Sequence, residues 1–118
     1  MEDEKTMSQI VDSICKIVEA DGDTLQKAME MLCKMNNGTL TLVDRDEMII
    51  NCPKLGIHSH KVSIKEKQVV VTGESYGIQD VRESVEQYYE AVVFAEEYGA
   101  EVEKDEEGTL LLTLEVDE

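Results

Sequence analysis

Apolar residues recur at helical spacing in two segments of the chain and alternate with polar residues in most others. The first helical segment has Asp23 as N-cap, Gln26 as its capping-box partner, and Asn37-Gly38 at its end. One face of this segment is apolar, formed by Leu25, Ala28, Met29, Leu32 and Cys33. This pattern predicts an amphipathic helix packed against a core.

The second helical segment is longer and more acidic. Asp80 and Glu83 form a second capping box, and Gly99 supplies a residue that ends helices. Its apolar stripe consists of Val81, Val85, Tyr88, Val92 and Ala95. The spacing predicts a helix over residues 80–99.

Short alternating segments between and after these helices predict strands. The pairs are 39–43 with 47–52, 58–64 with 68–72, and 100–103 with 109–116. Residues 9–19 fit both a helical stripe and an alternating strand, and their β-branched residues favour the strand. We therefore predict a single α+β domain over residues 7–118, a mostly antiparallel sheet with two helices packed on one face. Residues 1–6 are predicted to be a disordered acidic extension.

Charge narrows the classes of partner. Of the 27 acidic residues, 14 lie between Asp80 and Glu118, where only Arg82 and Lys104 are basic, so this segment holds −12 of the net −16. Such a surface repels phosphate backbones and anionic lipids, so we expect neither direct nucleic-acid binding nor membrane binding. Three interpretations remain: the protein binds a protein partner with a basic surface, it binds a small ligand in a neutral pocket, or its charge serves only solubility.

The sequence also indicates the compartment and the state of the cysteines. The chain has no apolar run of membrane-spanning length and opens with acidic residues, so we expect a cytoplasmic protein. Cys15, Cys33 and Cys52 are odd in number, lack CxxC spacing and lie in apolar segments. They are predicted to be buried small hydrophobic residues without disulfides.

The long helix carries the first candidate site. Glu83, Glu86 and Glu90 lie at i, i+3 and i+7, which places one negative stripe along its outer face. Tyr88 and Tyr89 point about 100° apart, so Tyr89 is a candidate interface residue if Tyr88 is in the core. The alternatives are that both tyrosines line the core boundary and that the stripe only aids solubility.

A second candidate is the loop that precedes this helix. Gly73, Ser75, Tyr76 and Gly77 combine glycines and hydroxyls at a helix N-terminus, which can receive an anion. Tyr76 would stack on a nucleotide or metabolite. The loop lacks the P-loop lysine and the dinucleotide glycine spacing, and a plain turn is the alternative.

Metal and catalytic chemistry have little support. His58 and His60 alternate by two, so they are predicted to share one face of a strand, with Cys52 upstream. A single His-x-His without regularly spaced further ligands does not predict a metal site. We find no catalytic constellation, and we expect no cofactor and no enzyme activity.

Several short segments resemble a known family in their order along the chain. They are Met7-Ser8, residues 25–32, Leu55-Gly56-Ile57, Gln87-Tyr88-Tyr89, residues 95–99 and Gly108-Thr109-Leu110. This order resembles domain-of-unknown-function family 1257, known from cyanobacterial and chloroplast open reading frames and from phage genomes. The chain lacks the family's tryptophan near Tyr76-Gly77 and the acid of its Gly56 turn. The resemblance implies the fold and allows a phage-encoded protein, but implies no particular chemistry.

Together these features favour a non-enzymatic accessory protein that binds a basic protein partner through its acidic face. The alternatives are a small-molecule binding module that uses residues 73–77, and an acidic DNA mimic that inhibits a nucleic-acid enzyme. Self-association into a homo-oligomer is a further alternative.

Overall fold

The structure is a computed structural model that describes residues 9–114. The elements in chain order are β1 (Ile10–Ile14), α1 (Gly22–Met35), β2 (Thr39–Asp44), β3 (Glu47–Cys52), β4 (Ile57–Lys65), β5 (Gln68–Glu74), α2 (Ile78–Tyr98), β6 (Glu101–Lys104) and β7 (Leu110–Thr113). A short 3₁₀ turn, Pro53–Leu55, separates β3 from β4. The predicted α+β architecture and the strand at the start of the chain are confirmed.

Strands β1 to β5 form one antiparallel sheet in the order β1-β5-β4-β3-β2. Both helices pack on one face of it, which we call the helix face. β6 and β7 pair with each other as a separate two-stranded sheet. Residues 1–8, including the predicted extension, and residues 115–118, including the predicted end of the last strand, lie outside the described residues.

The core lies between the helix face and the two helices. Its fully buried side chains include Leu25, Met29, Leu32, Met48, Ile50, Val69, Val71 and Val85. Alternate residues of β3 and β5 reach this layer because successive side chains of a strand point to opposite faces. Of the two described helices, neither is long and apolar enough to cross a membrane.

Helix α1 has partners at both ends. The Oδ2 atom of Asp21 accepts from the Thr24 backbone N–H at 2.9 Å, so the N-cap is Asp21 and the predicted cap at Asp23 is wrong. Gly22 is already helical, which moves the start two residues earlier. At the other end, Lys34 lies in the last turn, and the Lys104 ammonium donates to the Met35 carbonyl oxygen at 2.7 Å.

Helix α2 is terminated differently. It begins at Ile78 after Gly77, whose φ of 79° lies in the left-handed region, and no side chain caps it. The predicted capping box at Asp80 and Glu83 is therefore wrong, because both residues lie inside the helix. The predicted end at Gly99 is confirmed: Gly99 is left-handed, and no basic residue occupies the last turn.

Candidate protein-binding surface

The predicted acidic stripe of α2 divides into two environments. Glu83 and Glu90 are exposed. The Glu86 side chain is only 16% exposed, and its Oε2 accepts from the Lys16 backbone N–H at 2.7 Å and from Arg82 Nη1 at 3.0 Å. Glu86 therefore attaches the segment after β1 to α2, and its assignment as part of an outer binding stripe is wrong.

Both tyrosines of α2 are buried. Tyr89 is 7% exposed, and its hydroxyl accepts from the Asp21 backbone N–H at 2.9 Å. The Tyr88 hydroxyl accepts from Asn36 Nδ2 at 3.0 Å. The assignment of Tyr89 as an exposed interface residue is wrong, and the alternative that both line the core boundary is confirmed. The reason is that α2 packs on both α1 and the sheet, so its buried arc is wide enough for side chains about 100° apart.

A groove that sequence reasoning missed lies beside the last turns of α2. We call it the α2 groove; its apolar wall consists of Ile17, Val18, Val93, Phe94 and Tyr98, and its volume is about 590 Å³. Val18 is 87% exposed, Val93 41% and Tyr98 58%. The Phe94 and Tyr98 rings lie 4.7 Å apart between centroids, which makes one aromatic ridge. Exposed apolar side chains gathered in one concave place are typical of an interaction site.

Residues 16–19, which contribute Ile17 and Val18 to the groove, form a bend. The bend is fixed before and after by hydrogen bonds, from Lys16 N to Glu86 and from Ala20 N to the Lys67 carbonyl oxygen at 2.9 Å. Between them Glu19 adopts a left-handed φ of 54°, which is unfavourable for a residue with a side chain. The bend buries Ile17 and turns Val18 outward into the groove.

Acidic residues surround this apolar wall. Glu19, Glu90 and Glu97 line the groove, where Lys16 is the one basic residue. Within residues 9–114 none of these three glutamates makes a salt bridge, whereas Glu96 pairs with Lys27 at 2.5 Å. The C-terminus of a helix carries a partial negative charge, so Glu97 adds to the same negative pole. The groove thus combines exposed apolar surface with a net negative charge.

A second cleft continues across α2 from the groove. It lies between α2 and the β6–β7 hairpin, shares Glu90 and Phe94 with the groove, and has a volume of about 490 Å³. Leu110 and Leu112 of β7 line its far side. The two depressions therefore flank one exposed strip of α2 centred on Glu90 and Phe94.

The loop before α2, which was the candidate ligand-binding site, is a surface turn. The Ser75 backbone N–H donates to the Gln9 carbonyl oxygen at 2.8 Å, and the Ile78 N–H donates to the Ser75 carbonyl oxygen at 3.3 Å. Tyr76 is 89% exposed, and Ser75 and Gly77 are also exposed. Gly73 belongs to β5 and lies under the ring of His60, where a side-chain carbon would overlap that ring. The four residues do not face one another around a shared space.

The two histidines do not share a face. Ser59 has a left-handed φ of 58°, and the pairing of β3 with β4 shifts at this point, so a β-bulge separates them. His58 is exposed, whereas His60 is 4% exposed on the helix face. Neither ring nitrogen of His60 has a hydrogen-bond partner among the described residues, and burial lowers its pKa.

Cys52 is buried in the core, with its thiol 3.7 Å from the Asn36 carbonyl oxygen. Within residues 9–114, no three His, Cys, Asp or Glu side chains are grouped to hold a metal ion. Cys15, Cys33 and Cys52 are all buried free thiols, as predicted. Burial raises the pKa of Cys15 to about 12 and that of Cys33 to about 11, so neither is a reactive thiolate.

No protein-family model, curated protein or solved structure matches the chain. The resemblance to domain-of-unknown-function family 1257 stays a prediction.

Proposed function

We propose that this chain is a non-enzymatic, cytoplasmic accessory protein that binds a basic partner protein in the α2 groove. One observation carries the proposal. Glu90 and Glu97 stand without a salt-bridge partner in residues 9–114, beside exposed Val18, Val93 and Tyr98, and Glu97 lies in the negative last turn of α2. A partner that brings both cations and apolar side chains would satisfy both features at once.

Solubility alone accounts for the carboxylates but not for their surroundings. A solubilising surface is favoured by charged residues interspersed with polar ones, and contiguous exposed apolar side chains oppose that purpose. The same argument weighs against a DNA mimic, because valine and tyrosine between the carboxylates do not imitate a row of phosphates. The proposed site therefore lies closer to the C-terminus of α2 than the stripe predicted from Glu83, Glu86 and Glu90.

The test begins with partner capture from the cells that encode the chain, followed by titration of the purified partner. We expect affinity to fall steeply between about 50 mM and about 500 mM salt, because the Debye length shortens from over 10 Å to under 5 Å. The double variant Glu90→Gln/Glu97→Gln should bind more weakly at low salt. Glu30→Gln/Glu74→Gln is a matched control, since both residues are exposed and lie outside the groove.

Equal loss of affinity in both double variants would show that only the net charge matters. Unchanged affinity in the groove variant, with no salt dependence, would contradict the proposal.

A further inference from the structure

The composition of the α2 groove restricts what can occupy it, and the inference drawn here rests on the proposed function. The wall is apolar through Val18, Val93, Phe94 and Tyr98, and the rim is acidic through Glu19, Glu90 and Glu97. An occupant must therefore present aliphatic or aromatic side chains next to basic ones.

The chain's own segments do not meet the requirement. Residues 1–8 contain three acidic residues and one lysine, and residues 115–118 contain three acidic residues. A second copy of the chain brings a net charge of −16 and would be repelled at long range. Charge complementarity therefore selects a different, basic protein.

The geometry of α2 indicates the form of the partner segment. Between Glu90 and Tyr98 the groove runs along roughly 12 Å of helix, at 1.5 Å per residue. The N–H groups of this stretch and the C=O groups before its last turn are bonded within the helix, so most of this wall offers side-chain contacts only. An occupant lying along it must satisfy its own backbone hydrogen bonds, which an α-helix does internally.

We propose that the α2 groove receives a basic amphipathic α-helix of a partner protein. Aliphatic side chains of that helix, at i, i+3, i+4 and i+7, pack against Val93, Phe94 and Tyr98. Lysine or arginine side chains on its flanks reach Glu90, Glu97 and Glu19, and relieve the negative pole at the end of α2.

The probe is a synthetic peptide of about 14 residues with leucine at i, i+3, i+4 and i+7 and lysine at the other positions. Two further peptides serve as controls: a scrambled sequence of equal composition, and the patterned sequence with a central proline. Affinities are measured by titration against the full chain. Val93→Ser removes an apolar contact without a change of charge, and Val43→Ser is its matched control on β2, where Val43 is 53% exposed.

We expect the patterned peptide to bind more tightly than both controls and to become helical on binding. Val93→Ser should weaken that binding about three- to tenfold, whereas Val43→Ser should leave it unchanged. Sedimentation velocity on the free chain should show a monomer.

Other results overturn the inference in distinguishable ways. Equal affinity of the patterned and scrambled peptides would mean that charge alone acts, which removes the helix but leaves the proposed function. Tight binding of the proline peptide would point to an extended occupant. A dimer that Val93→Ser dissociates would assign the groove to a second copy. If no peptide binds while the captured partner still depends on Glu90 and Glu97, only the helical occupant is wrong; if that dependence is also absent, both proposals fail.

Discussion

The two helices of this protein end in opposite ways. α1 has Asp21 at its N-terminus, Lys34 in its last turn and the Lys104 ammonium on its terminal carbonyl group. α2 starts after Gly77 without a side-chain cap, and its last turn contains Glu96 and Glu97 but no basic residue. Cations near a helix C-terminus stabilise it and anions there destabilise it. α1 therefore follows the electrostatic rule for helix ends, and α2 departs from it at its C-terminus.

The departure coincides with exposure. At the end of α1 the Lys104 side chain of β6 donates to the Met35 carbonyl oxygen and to the Asn36 side chain, and Asn36 is buried. The end of α2 borders the open groove with Val93 and Tyr98 exposed. Local rules of stability are most often broken at functional sites, and here the break lies where the surface is apolar and open. This contrast is the reason that we propose a binding surface on α2 rather than on α1.

We expect the largest loss of stability from a change at Asn36, which follows the last residue of α1. Asn36 Nδ2 donates to the Leu32 carbonyl oxygen and the Tyr88 hydroxyl, and its Oδ1 accepts from Lys104. Asn36→Ala should lower the free energy of unfolding by about 2–3 kcal/mol, because buried partners lose their hydrogen bonds. Urea titration measures this, with exposed Gln79→Ala as control. A loss no larger than that of the control would mean that this network does not hold α1.

The end of α1 can be made to resemble that of α2. Lys104→Met removes the cation from the α1 carbonyl end and should cost about 1–2 kcal/mol, since hydrogen bonds to a charged group are lost. Amide exchange in β6 and β7 should quicken with it, because Lys104 links the hairpin to α1. Exposed Lys54→Met is the matched control, and equal exchange in the two variants would contradict this link.

The pH dependence of stability tests a buried residue of the core, away from the α2 groove. His60 is buried without a hydrogen-bond partner among the described residues, and burial lowers its pKa below the ordinary 6.5. The unfolded chain then binds more protons than the folded one below that pH. His60 therefore makes the folded protein less stable as pH falls below about 6.5, and leaves stability unaffected above it.

His60→Leu should flatten this part of the stability curve. Unfolding free energies of both proteins at pH 7.5, 6.5 and 5.5 provide the comparison. Parallel curves for the two proteins over about one to two pH units below 6.5 would show that His60 does not supply the dependence.

The architecture was readable from periodicity because burial is its main cause. Leu25, Met29 and Leu32 recur at helical spacing, and Met48, Ile50 and Cys52 alternate, so each set reaches one core. The β-bulge at Ser59 could not be predicted from the sequence, because a single left-handed serine does not change the pattern of apolar residues. It reversed the face of one histidine.

The site was less predictable than the fold. Glu86 and Glu90 look equivalent on a helical projection, but in the fold Glu86 is largely buried and accepts from the Lys16 backbone N–H, so Glu86 is structural. The α2 groove needs a bend at Glu19 that faces residues about 75 positions later in the chain, a long-range contact that sequence spacing does not encode. The usable signal was the pair Glu96-Glu97 just before Gly99, acids where a helix favours bases.

We propose that the C-terminus of α2 is acidic at a cost to the stability of the free protein. The most direct measurement is the unfolding free energy of Glu97→Lys, compared with that of Glu30→Lys, which changes net charge equally on α1. The account predicts a gain of about 0.3–1 kcal/mol for Glu97→Lys, because a cation replaces an anion at the negative pole. It predicts no gain for Glu30→Lys, where the Gln26 contact and the spacing to Lys34 are lost. An unchanged or lower stability of Glu97→Lys, or an equal gain in both variants, would contradict the claim.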